Sequence, residues 1–132
     1  MDIKEIARET IIALRLVRDK DVVIDKVTPA WSGSPEIRVS SDPTKPEDET
    51  QFGPVSETTV LWIHCLAIDR QESWDIARKA AHAVYEKFEE LERQRGSGIF
   101  CITYAERNTV QLDGNLAFHS FVNFRILHSP TL

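Results

Sequence analysis

The run Thr58-Thr-Val-Leu-Trp-Ile-His-Cys-Leu-Ala-Ile-Asp69 is β-branched and apolar at odd and even positions alike. A strand with one wet face alternates polar and apolar residues, so a run apolar on both faces needs cover on both. The sequence predicts a central strand over 58–69, covered by helices on one side and by a neighbouring subunit on the other. A helix follows without a linker. Trp74, Ala77, Ala81, Val84, Phe88 and Leu91 recur at spacings of three and four, and Ile76, Ala80 and Tyr85 widen the stripe. Asp69 suits the N-cap, with Glu72 three residues on completing a capping box. The helix is expected over 70–95, with Gly96 as its terminator.

The remaining elements arrange themselves around this strand–helix unit. A first helix is expected from Ile3 to Val17, with Asp2 as N-cap and Glu5 in the capping-box position. Its apolar face reads Ile3, Ile6, Thr10, Leu14 and Val17, with Ala7 and Ile11 beside it. Short strands are predicted at Val22–Ile24 and Glu36–Ser40. The tract after them, SDPTKPEDETQFGPVSE, holds three prolines, a glycine and a cluster of carboxylates. It reads as a mobile acidic loop over 41–57. Ile99 to Leu112 and Asn115 to His128 flank Asp113-Gly114, a strong hairpin signal. A two-residue turn would set Cys101 opposite Ile126, Thr103 opposite Phe124 and Tyr104 opposite Asn123, unless a bulge shifts the register. Joining strand 58–69 to strand 99–107 through a helix makes a right-handed β-α-β crossover with parallel strands. The predicted fold is α/β (α+β): one domain over 1–132, a single mixed sheet, two helices on one face and a long C-terminal hairpin.

Composition narrows the function. The net charge of −5 argues against holding nucleic acid by phosphate neutralisation. Asp42, Glu47, Asp48, Glu49 and Glu57 against Lys45 give residues 41–57 a balance of −4, five acids less one base. A calcium loop needs alternating oxygen ligands around a central glycine, which this tract lacks. No apolar run approaches the roughly 20 residues needed to span a bilayer. The charged, helical start MDIKEIARE is not that of a signal peptide, so a cytoplasmic origin is expected. Cys65 and Cys101 lie in strands without paired-cysteine spacing and read as reduced, buried thiols. His64 and Cys65 are neighbours on a strand and point to opposite faces, so they cannot form a base–nucleophile pair. His119, Asn123 and Arg125 alternate on one face of the last strand. They read as a half-exposed sheet face or a subunit contact rather than a polar pocket, because no paired carboxylates or nucleophile converge there. Phosphate-cradling and nucleophile-elbow motifs are missing from the sequence. No catalytic, metal or cofactor residue is therefore expected.

Several segments together resemble one family. They are the opening helix DIKEIARETIIALRLVR, the strand SPEIRVSS with an acidic tract after it, the strand–helix run LWIHCLAIDRQESWDIARKAAHAVYEKF and the closing strand FVNFRILHS. In order and pattern they resemble the tail-terminator and tail-completion proteins of long-tailed bacteriophages, also described as minor capsid or head-to-tail joining proteins. The resemblance spans essentially the whole chain. It implies a virion protein of the tail or neck, assembled in the host cytoplasm, that is not an enzyme and uses no cofactor. Its protomers would form a homohexameric ring that caps the tail tube, halts tube growth and meets the head-completion or connector protein. DNA would pass through without specific binding. Asp42, Glu47, Asp48 and Glu49 are then expected on a lumen-facing loop. Trp31, Phe52, His119, Phe121 and Arg125 are expected at a subunit or partner interface. Two other classes fit the composition: a small cytoplasmic α/β ligand-binding protein or enzyme, and a dimeric adaptor or antitoxin-like protein.

Overall fold

The computed structural model describes residues 2–28, 30–50, 53–111 and 117–130, with backbone alone at 47–50, 53–55 and 109–111. Its elements are α1 (Ile3–Leu14), β1 (Val22–Ile24), β2 (Glu36–Ser41), β3 (Lys45–Thr50), β4 (Gly53–Ala67), α2 (Arg70–Arg93), β5 (Ile99–Gln111) and β6 (Phe118–His128). The sheet runs β1-β2-β4-β6-β5, and β3 pairs with the projecting end of β4. Among the described strands only β1–β2 is a parallel pair; β6 pairs antiparallel with both β4 and β5. The strands joined through α2 are therefore parallel to each other, as the crossover requires, with β6 inserted between them.

Both helix starts follow their caps. The Asp2 side chain accepts from the Lys4 and Glu5 amides, and Asp69 accepts from the Glu72 amide at 2.9 Å. The ends differ from expectation. α1 stops at Leu14 because Arg15 turns left-handed (φ 55°), and its buried stripe is Ile3, Ala7 and Ile11, leaving Leu14 exposed. α2 stops at Arg93, closed by an extended Gln94; Gly96 serves the following turn with φ 84°. A contact invisible in the sequence pins the first turn of α2. The buried Ser73 hydroxyl lies 3.0 Å from the Cys65 carbonyl and 2.8 Å from the Ser120 hydroxyl, tying helix to sheet.

α1 and α2 share one core with the sheet face bearing Ile37, Val39, Leu61, Ile63, Cys65, Ile102, Val122, Phe124 and Ile126. Ala77, Ala80 and Ala81 bring α2 close to this face, and Phe88 fills the space beyond them. Full burial of a side chain such as Phe88 contributes about 2–3 kcal/mol of apolar transfer.

The acidic tract is not a loop. β3 and the first residues of β4 form a two-stranded ribbon from Lys45↔Thr58 to Thr50↔Gly53, so Glu47, Asp48 and Glu49 stand on strand backbone. β4 accordingly starts at Gly53 rather than Thr58, and it ends at Ala67. Prolines are tolerated because the ribbon is only two strands wide. β6 reaches no further along β4 than Glu57, and Pro46 lies on the outer strand. Each proline can therefore turn the side that lacks an N–H outward.

The C-terminal hairpin is also shifted. Ile99 faces His128 as a two-residue turn demands, but a bulge puts Cys101 opposite Leu127 and Tyr104 opposite Phe124. A second bulge puts Glu106 opposite Asn123. The Asn123 Oδ1 accepts the Glu106 amide at 3.0 Å, taking an amide that the irregular ladder would otherwise strand. The Asp113-Gly114 turn lies outside the described residues.

Candidate interaction surface on the open sheet face

Period-two alternation sends the even residues of β2 and β4 and the odd residues of β6 away from the helices. On that face Arg38 pairs across to His64 and then to Phe121, while Ser40 pairs to Trp62 and then to Asn123. Four rings therefore meet in a square. Trp62 stacks on His64 with centroids 5.5 Å apart and planes 4° apart; it also meets Phe121 at 5.4 Å. His119 closes the square against His64 at 4.9 Å and Phe121 at 5.9 Å. The Trp62 indole N–H donates to Asp42 at 3.1 Å.

The two imidazoles are linked. His64 Nδ1 lies 2.8 Å from His119 Nε2, and His64 Nε2 lies 3.2 Å from the Ser40 hydroxyl. One N–H fits between the rings and a second does not, so the two facing nitrogens are not protonated together. Burial, then His119 and Arg38, holds the His64 pKa down to about 4. Burial and Arg38 lower that of His119 as well. On the opposite face, burial and Glu72 push the Cys65 thiol up to about 12. His64 and Cys65 are thus separated by the sheet, and the thiol is an unreactive apolar group.

A second arrangement was not legible from sequence. Glu36 is only 5% exposed, yet both of its side-chain oxygens have partners. Lys26 donates to it at 2.9 Å, and the Arg38 Nε donates to its other oxygen. Arg38 continues to the carbonyls of Thr28 and Ala30, at 2.8 and 3.1 Å, and so pins the segment between β1 and β2. Trp31 lies in this segment, half-buried, its indole N–H donating to Ser34 at 2.6 Å. A lysine, a glutamate and an arginine spread over a dozen residues carry no local signal of their pairing.

Among the residues expected at an interface, the structure brings His119 and Phe121 together in the ring square. Arg125 is exposed on the same face further along β6 and lines an open cleft of about 480 Å³ with Asp42, Lys45, Val60, Cys101 and Thr103. Trp31 is held in its own segment, and Phe52 lies outside the described residues. Trp62 and His64 are not among the residues expected at an interface, although the doubly apolar run 58–69 that holds them predicts a second face covered by a neighbouring subunit. Asp42 is exposed at the root of the ribbon, its carboxylate serving Trp62. Asn123 is 1% exposed, and its Nδ2 has no partner among the described residues. It does not form a pocket with His119, because Phe121 stands between them.

Among the described residues no group of three or more His, Cys, Asp or Glu is placed to hold a metal ion, and no helix is long and apolar enough to cross a membrane. The surface offers aromatic area, a desolvated imidazole pair and an isolated arginine, which are the ingredients of a protein–protein contact.

No protein-family model matches the chain, and no curated protein matches it. Among solved structures, the fold matches a chain from the virion of a native gene transfer agent (GTA) particle. The match has a TM-score of 0.50 and covers 81% of this chain and 78% of that one, at 17% sequence identity. At that identity the likeness is one of fold.

Proposed function

We propose that this chain is a structural protein of a phage-like virion, acting as a tail-terminator or tail-completion protein rather than as an enzyme. In this reading its protomers close into a ring, a hexamer, that caps the tail tube, stops tube polymerisation and meets the head connector. The observation that carries the reading is the fold shared with a chain of a virion particle. The sequence order of an opening helix, a strand running straight into a long helix and a closing hairpin supports the same assignment. So does the open sheet face, whose aromatic rings are of the kind that anchors contacts between proteins. The acidic balance of −5 suits a passage that DNA crosses without being held.

Head-to-tail contacts close into a ring when the rotation per subunit permits. Native mass spectrometry and electron microscopy of the purified chain, alone and with polymerising tube protein, test the proposal. Six-membered rings, or tubes capped and shortened by the added chain, are expected. A dimer that ignores tube protein, or a monomer carrying a small metabolite, overturns the reading.

A further inference from the structure

The helix-covered side of the molecule has a groove along its edge. Arg70, Trp74, Arg78 and His82 fall four residues apart on α2 and form one stripe. Tyr104 and Arg107 of β5 face that stripe. Two adjoining depressions, of about 400 and 170 Å³, share Trp74 and Arg107 as common walls. Arg70, Arg78 and Arg107 make no ion pair among the described residues. Of the nearby acids, Asp75 accepts from Gln71 at 2.9 Å, Glu86 lies 3.0 Å from the His82 ring nitrogen, Glu106 stands opposite Asn123, and Glu89 acts with Glu86 on Tyr104 at the far end of the stripe from Arg70. β5 is also the long free edge of the sheet, 13 residues, whereas the β1 edge is three residues and gives its Val22 carbonyl to Arg8.

The chain thus has a basic groove in a protein of net charge −5, and a ribbon region, 41–57, of charge −4. They lie at opposite ends. The ribbon projects beyond Glu57, which pairs with His128, while Arg107 pairs with Val122. Six residue steps along β6 separate these rows, roughly 20 Å at ~3.3 Å per residue, and the ribbon points further away. A protomer cannot fill its own groove.

We infer that the β3–β4 ribbon of one copy docks in the Arg70–Arg78–Arg107 groove between α2 and β5 of the next. The contact is heterologous, acid on base, with the same polarity at every junction, and so propagates around a closed assembly. It rests on the ring reading above and names the surfaces that close the ring. It also gives the ribbon carboxylates a subunit-binding role in place of a lumen-facing one.

Charge reversal tests this directly. Arg78→Glu with Arg107→Glu makes the groove acidic; Glu47→Lys, Asp48→Lys and Glu49→Lys make the ribbon basic. Each variant alone should weaken self-association at least about tenfold, and added salt should weaken the wild type. Mixing the two variants should restore assembly with the copies alternating one to one, because each then offers what the other lost. Independently of ring stability, the photocrosslinker p-benzoylphenylalanine placed at Gln71 should give adducts between copies that map to residues 45–57. Rings that survive both reversals leave the virion reading intact and remove this one. A mixture that fails to associate overturns it, as do adducts that map elsewhere or fail to form at the highest soluble concentration. Ribbon reversal that changes DNA passage while assembly is untouched restores the lumenal role. Binding of nucleic acid lost by groove reversal with assembly unchanged makes the groove a polyanion site and overturns the proposal.

Discussion

β6 carries two phenylalanines three residues apart that live in different worlds. Phe124 is fully buried against α2; Phe121 is half-buried among Trp62, His64 and His119 on the other side of the sheet. The covered face joins aliphatic and alanine side chains to a cluster of Phe124, Tyr85 and Tyr104, and among the described residues its buried polar side chains are Ser73, Ser120, Thr59 and His128. The open face mixes rings, imidazoles, an arginine staple and an amide. The first arrangement maximises dry area and fixes the fold. The second gives up stability for chemical variety, which is useful only if something else covers it.

That contrast can be broken by experiment. The largest effect is expected from Phe124→Ala, about 3–5 kcal/mol of unfolding free energy by chemical denaturation, because a cavity opens where helix and sheet meet. Phe121→Ala should cost less than half of that in the monomer while weakening self-association; equal losses would erase the distinction between the faces.

Acid should separate the faces next. His64 and His119 are neutral in the folded chain, their pKa values held below 6.5, with His64 near 4. The unfolded chain therefore binds protons first as pH falls, and stability is present above about 6.5 and lost towards about 4. His64→Gln should flatten this acid limb by about 1–2 kcal/mol, less than the full shift implies because solvent reaches part of the ring. Denaturant midpoints measured between pH 7 and 4 check it, and a limb unchanged by the substitution assigns the acid sensitivity elsewhere. The smallest effect belongs to neither face. Arg15→Gly should stabilise by about 0.5–1 kcal/mol by removing a left-handed side chain at the end of α1, readable as a small rise in melting temperature.

The covered face was largely legible in the sequence, because helix periodicity and caps are local. Asp2, Asp69 and the Trp74–Leu91 stripe announce themselves within a few residues. The open face was not, for it depends on register. His64 and His119 are 55 positions apart, and they meet only because β4 and β6 pair with Leu66 opposite His119. The ribbon was missed for a different reason. Pro46 and Pro54 signal breakage in a wide sheet but are compatible with a two-stranded edge, and composition alone does not tell the two apart. The bulges at Phe100 and Ala105 each moved the hairpin by one residue, and no residue type there demands one.

The two thiols fall on opposite sides of this divide. Cys65 is sealed beneath α2 and carries its proton to about pH 12, so an alkylating reagent reaches it only when the strand–helix unit comes apart. Cys101 is partly open and lines the cleft beside Arg125. Labelling rates at the two sulfurs would therefore time two distinct events in one sample: global opening at the first, occlusion by a neighbour at the second.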